Sequence, residues 1–181
     1  MSGRFTSGWY LLYTRPKHER KVIEKLNDLK VPLLFPTTRV LHRWCDRTKS
    51  LSIPLFPSYI FVYLMDTGTY FAALNTNGVL YYVRTGSGVC RVSDQVVNSI
   101  RLLVGSGEEL EVSDRTFQRG DKSMIGEGPL AGLECEIIED NGKRMCLVRV
   151  SILRRNILLR INTDRLIKET VQMKKKEFIT I

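Results

Sequence analysis

Four cysteines and two histidines are the residues of this 181-residue chain best suited to metal or nucleophile chemistry, and their spacing supports neither. Cys45, Cys90, Cys135 and Cys146 include no Cys-x-x-Cys pair, and His18 and His42 complete no zinc-ligand pattern. Serine, histidine and aspartate occur outside any nucleophile motif, and no phosphate-cradling glycine loop is present. No metal, no cofactor and no enzymatic activity are expected. The scattered cysteines read as reduced thiols rather than a disulfide framework, with Cys90 and Cys135 in strands. What remains is the chemistry of binding, carried by aromatic rings and cations.

The densest aromatic stretch, SIPLFPSYIFVY from Ser52 to Tyr63, contains two prolines. Proline donates no ladder hydrogen bond, so Pro54 and Pro57 belong at a strand's entrance or edge, and the strand proper spans Tyr59 to Leu64. Period two makes Ile60 and Val62 core residues on one face. Phe56 and Pro57 read as a rigid apolar lip, while Phe56, Tyr59 and Phe61 are open between core and a partner-facing depression. Charge is uneven: residues 1–60 hold eleven Lys and Arg against four Asp and Glu, so they carry +7 of the net +9. A polyanion at one face of the N-terminal region fits that asymmetry, against the alternative of a merely solvated basic face.

Elements must hold these groups. WYLLY from Trp9 reads as a buried strand, and Pro16 suits the first turn of a helix over Lys17–Lys30. Val22, Ile23, Leu26 and Leu29 form its apolar stripe, Lys17, Lys21 and Lys25 flank it, and Val31-Pro32 stops it. Leu33 to Val40 reads as a second strand, and Thr37 to Ser50 as a protruding basic hairpin or loop with Trp44 as its stabiliser. A brief helix falls around Tyr70–Leu74 and a strand over Val79–Arg84. Ser93 caps a helix whose stripe, Val96, Val97, Ile100, Leu103 and Val104, ends at Gly105. Beyond a glycine- and acid-rich linker from Ser106 come short strands, with Asp140-Asn141-Gly142 as a hairpin turn between Leu133–Glu139 and Arg144–Val150, and Ile157–Ile161 as a further strand. The tail from Thr170, with Lys174 to Lys176, has no periodicity to place it. The apolar runs break too soon for a transmembrane helix and the N-terminus lacks a secretory core, so a cytoplasmic location is expected.

This order resembles the NusG family of transcription elongation factors. Trp9-Tyr10, the helix containing Glu19, Phe56-Pro57-Ser58-Tyr59-Ile60-Phe61-Val62 and Gly78-Val79 look like its N-terminal motifs. Gly120-Asp121 followed by Gly128-Pro129-Leu130-Ala131-Gly132 looks like a KOW motif, with Cys135 departing where many such motifs have a second glycine. The resemblance implies an α+β chain: an NGN-type sandwich over 8–105 with a central antiparallel sheet flanked by helices, a linker over 106–118, a small SH3-like KOW barrel over 119–169, and a tail over 170–181. The PLFPSYIFV string, the short loop after Asp66, and Ser58 where general members commonly have glycine look closer to specialised paralogues of the RfaH and UpxY antiterminator type.

By that resemblance Tyr13, Phe56, Pro57, Tyr59, Phe61, Val97 and Ile100 dock on the clamp region of RNA polymerase, and Thr69, Tyr70 and Phe71 face its opposite jaw. Arg15, Lys17, His18, Lys21, Lys25, Thr76, Asn77 and Arg84 meet the non-template DNA strand. The barrel recruits another factor, such as Rho or a ribosomal protein. The implied function is suppression of pausing and termination at particular operons, such as surface-polysaccharide loci. The alternatives are a housekeeping elongation factor and a KOW-type RNA- or ribosome-binding protein. The resemblance also allows the barrel to mask the depression, even by refolding from helices, whereas the Asp140-Asn141-Gly142 turn argues for a stable barrel.

Overall fold

Strand β1 (Gly8–Thr14) is buried along nearly its whole length because both of its faces are apolar. Trp9 and Leu11 point to one side, Tyr10 and Leu12 to the other, so an element must cover each side. The computed structural model, which describes residues 5–43, 48–86, 88–108, 110–113, 120–125, 130–131, 133–140, 143–150, 153–160 and 166–168, supplies both covers. β1 lies between β5 (Tyr59–Leu64) and β6 (Val79–Tyr82), with β2 (Leu33–Leu34) outside β5 and β9 (Arg91–Val92) also paired to β1. All of these pairings are antiparallel. Helices α1 (Glu19–Asp28) and α2 (Thr67–Leu74) cover one face, where Val22, Leu26 and Ala73 meet Leu12, Ile60, Val62 and Tyr82. Helix α3 (Asp94–Gly105) belongs to the other, burying Val97, Ile100 and Leu103 in the cluster of Trp9, Leu11 and Phe61.

Several boundaries differ from expectation. Pro16 stands outside α1, because Lys17 takes a left-handed φ of 64° before the helix begins at Glu19. Leu29 falls after the last helical residue and is 48% exposed, so the stripe ends at Leu26. The strand expected over Leu33–Val40 breaks at Phe35-Pro36 into β2 and β3 (Thr37–Arg43), which pairs with β4 (Thr48–Pro54) as a hairpin. Ser52–Pro54 therefore closes β4 and is not the entry to β5. Two-residue strands β7 (Arg84–Thr85) and β8 (Gly88–Val89) pair with each other, and Cys90 sits between β8 and β9 rather than within a strand.

A six-stranded antiparallel sheet follows, in the order β10 (Leu110–Ser113), β14 (Arg155–Arg160), β13 (Lys143–Val150), β12 (Glu134–Asp140), β11 (Asp121–Ile125), β15 (Leu166–Lys168). Leu110–Ser113, expected within a linker, is an edge strand of this sheet, with Leu110 opposite Leu159 and Val112 opposite Ile157. Asp140 pairs with Lys143 across a two-residue connection. The residues of that turn, like Trp44, Gly128-Pro129, Gly132 and the tail, lie outside the described residues. Among the described residues no helix is long and apolar enough to cross a membrane.

Candidate functional site

The turn that opens β5 joins the aromatic and basic surfaces. Ser58 is buried and adopts φ 68°, a left-handed conformation that a side chain disfavours. Its N–H donates to Glu19 Oε1 at 2.9 Å, and its carbonyl accepts the Thr14 N–H at 2.8 Å and the Thr14 hydroxyl at 3.3 Å. The start of α1, the end of β1 and the start of β5 are thus pinned at one point. Ser58→Val should cost about 2 kcal/mol in denaturant melts, because a β-branched residue cannot relax at that φ. Ser58→Gly should be near neutral, relief of strain being offset by glycine's greater freedom in the unfolded chain.

From this turn three tyrosines on neighbouring strands line up. Tyr13 packs on Tyr59 with ring centroids 5.1 Å apart and stacks on Tyr81 at 5.0 Å with 21° between the planes. Tyr13 and Tyr59 are half-buried, Pro57 is exposed and Tyr81 is 51% exposed. Burial raises the Tyr59 hydroxyl pKa, as do Tyr13 and Tyr81, while Arg155 on β14 opposes the shift. Tyr81 was not foreseen. Its place depends on the β1–β6 register, which sets it opposite Tyr13, and nothing local in the sequence fixes that pairing.

The remaining expected docking residues are not surface rings. Phe56, Phe61, Val97 and Ile100 are buried in the one cluster that also contains Ile157 and Leu159 of the C-terminal sheet. Trp9 in that cluster carries the Arg101 guanidinium 5.0 Å above its ring. The Gln95 amide on α3 donates to the Glu134 carboxylate on β12, beside a cavity of about 190 Å³ lined by Gln95, Ser99, Lys122, Glu134 and Arg149. The C-terminal half therefore rests against α3 as strands, not as helices.

On the basic side, Arg15, Lys17, Lys21 and Lys25 are exposed and His18 is half-buried. Gly78 holds the loop before β6 against the start of α1: its carbonyl accepts the Arg15 N–H at 2.8 Å, and a Cβ there would meet Val22 Cγ2 at 2.9 Å. That approach sets Gly78, which follows the exposed Asn77, against His18 as well as Val22. Thr76 departs from the expected base-reading role. It is buried, and its hydroxyl donates to the Ala72 carbonyl at 3.0 Å. Lys25 pairs with Asp28 at 3.2 Å across two exposed side chains, and Arg84 lies on β7 at the far end of β6.

Residues 69–71 also divide. Thr69 and Asp66 form a reciprocal capping box at the start of α2. Tyr70 stacks on Tyr82 at 4.4 Å and accepts that residue's hydroxyl at its carbonyl, so it packs the helix, while Phe71 is 57% exposed. The Thr69 backbone and hydroxyl hydrogen bonds hold the Asp66 carboxyl below the usual carboxylate range. The folded pKa being lowered, the cap's contribution is present above the ordinary aspartate pKa and lost as pH falls through the folded value. Amide protection factors over Tyr70–Leu74 should fall in that acid window, and Asp66→Asn should remove the pH dependence.

The arrangement defines a class: a mixed α/β protein that sets an aromatic patch beside a basic turn. The chain belongs to the NusG family, whose sequence model, "Transcription termination factor nusG", matches residues 7–101. The transcription termination/antitermination protein NusG of Streptococcus pyogenes serotype M1 is 27% identical over 161 residues, covering 82% of this chain and 89% of the relative. Its counterpart from Lactococcus lactis is 27% identical over 154 residues, covering 79% and 83%. Among solved structures, "Domain interaction in Thermotoga maritima NusG" aligns with TM-score 0.48 and 21% identity over 91% of this chain and 98% of that one. The family is one of transcription factors.

Proposed function

We propose that the protein binds the clamp region of RNA polymerase through Tyr13, Tyr59, Tyr81 and Pro57, rests its basic turn on the exposed non-template strand, and thereby suppresses pausing and termination. The observation that carries this reading is the Ser58 joint, which fixes a part-exposed aromatic patch and a cationic turn in one frame. Aromatic rings at an interface centre supply most of its energy, and cations beside it neutralise phosphate without reading sequence. The two halves correspond in this reading to NGN and KOW units, with Leu110–Ser113 assigned to the second. Recruitment of Rho or a ribosomal protein belongs to that second unit.

A role at many genes is the simpler form of the proposal. The operon-restricted form leaned on the PLFPSYIFV string, the short loop after Asp66 and Ser58, and Ser58 is buried with its backbone N–H and carbonyl bonded to Glu19 and Thr14, a turn role. Transcription in vitro with the cognate polymerase tests the core claim: the protein should lengthen transcripts through pause and terminator sites, and unchanged pausing would refute it. Run on templates with and without the protein's own operon leader, the same assay separates a general factor from a specialised one. The burial of Phe56, Phe61, Val97 and Ile100 with C-terminal residues supports a further element, restricted access to the docking face while the halves are packed.

A further inference from the structure

Two of the scattered cysteines meet in space. Cys135 on β12 and Cys146 on β13 are both free thiols and both buried. The register sets Cys146 opposite Ile137, and Cys135 lies two residues along from Ile137 on the same face, so the two side chains are diagonal neighbours on adjacent strands. Both belong to the cluster in which α3 packs on the C-terminal sheet, with Val97, Ile100, Val148 and Ile157. The two side chains hydrogen-bond each other, which favours the thiolate at Cys135 and holds the proton on Cys146, lowering one pKa and raising the other. Neither the tyrosine patch nor the basic turn uses either sulfur.

Access divides the pair. Cys135 is 7% exposed and lines the cavity of about 190 Å³ between α3 and the C-terminal sheet, beside Ser99, Lys122 and Arg149, whereas Cys146 is fully buried. A peroxide, little larger than water, reaches Cys135 first through that cavity. The attacking form of a cysteine is its thiolate, and the bond from Cys146 supplies it against the opposing effects of burial and the Glu136 carboxylate.

We propose that Cys135 and Cys146 form a peroxide-responsive modification site, with Cys135 as the attacking and Cys146 as the resolving thiol. The Cys135 sulfur attacks one peroxide oxygen: the S–O bond forms, the O–O bond breaks, and the second oxygen leaves as water with the Cys135 proton, giving a sulfenic acid. The Cys146 sulfur then attacks the sulfenic sulfur: the S–S bond forms, the S–O bond breaks, and the hydroxyl leaves as water with the Cys146 proton. The two thiols give up two electrons in all, and the peroxide is reduced to two waters. A disulfide needs Cα atoms within about 7 Å, and diagonal neighbours on an antiparallel pair stand near that limit. The bond is therefore of the readily reduced kind, and a dithiol reductant reverses it. It forms inside the contact between α3 and the C-terminal sheet, which places the oxidation state of the pair at the junction of the two halves.

The full chain carrying Cys45→Ser and Cys90→Ser, which keeps only this pair, tests the assignment by mass spectrometry. Treated with a small excess of hydrogen peroxide, it should become lighter by about 2 Da, the mass of two hydrogens, lose both titratable thiols, and give a digest in which the Cys135 and Cys146 peptides of one chain are joined. A dithiol reductant should restore both thiols. Cys146→Ser in that background should stop at a Cys135 sulfenic acid captured by dimedone, and Cys135→Ser should leave Cys146 unmodified at the same dose. Should a serine variant fail to fold, the joined peptide from the unsubstituted chain decides alone. Gains in steps of about 16 Da without a joined peptide overturn the proposal. So does a disulfide that links two chains, or a Cys146 that oxidises as fast without Cys135. No polymerase enters the assay, so its outcome and that of the docking reading are independent.

Discussion

Alanine at both Tyr13 and Tyr59 should weaken polymerase binding on the order of a hundredfold or more and abolish the effect on pausing. Well-packed interface aromatics cost about 2 kcal/mol or more each on truncation, and each 1.4 kcal/mol is tenfold in affinity. The two rings touch at 5.1 Å, so their effects will not add, and the double change sits below the simple product. Tyr81→Ala is the cleaner single test, since a ring 51% exposed contributes little to the core yet stacks directly on Tyr13. It should lower affinity about tenfold with an unchanged melting temperature. Phe56→Ala would not serve. Phe56 is buried against Phe61, with centroids 6.1 Å apart, and its truncation costs about 3 to 5 kcal/mol of stability through the cavity it leaves. Measured polymerase affinity that survives Tyr81→Ala and the double change alike would remove the patch from the interface.

The contrast between Tyr81 and Phe56 shows where the sequence was legible. Period two named Ile60 and Val62 as core, and both are fully buried under α1 and α2. The Ser93 cap named the start of α3 to the residue, because a local hydrogen bond to the Val96 N–H defines it. What no local pattern encodes is which element lies over the second face of the sheet. Phe61, Val97 and Ile100 have the composition of a docking surface and of a core alike, and α3 together with the C-terminal half makes them core. Thr76 has a base reader's chemistry, but the helix two residues earlier takes its hydroxyl. Leu110–Ser113 hid among acids because its partner strand, Arg155–Arg160, lies more than forty residues away. In each case the missing information is long-range pairing, not propensity.

Gly120→Ala should disrupt the C-terminal sheet while leaving the N-terminal one folded. A Cβ at Gly120 would lie 2.0 Å from the Ile137 carbonyl oxygen and 2.8 Å from its carbon, and these are backbone atoms that no rotamer change can clear. The clash falls where β11 meets β12, with Asp121 opposite Ile137, so relief requires the two strands to separate. It also displaces the Gly120 N–H from Glu136, whose carboxylate is already held by Arg149 through bonds of 2.7 and 2.8 Å. Overpacking a rigid site costs about 3 kcal/mol, a large share of the roughly 5 to 15 kcal/mol that hold a domain together. Among the described residues the cluster of Leu12, Val22, Leu26, Ile60 and Val62 contains none from the C-terminal half, and it gives the first sheet a core of its own. Hydrogen exchange should therefore accelerate at the Glu136–Leu147 pairing and stay slow at Leu12 and Ile60. If burial by the C-terminal sheet restricts the docking face, this same variant should bind polymerase more tightly than the parent. Retained protection at Glu136–Leu147 would show that the strands accommodate the methyl, and equal affinity with protection lost would show that the docking face was never covered.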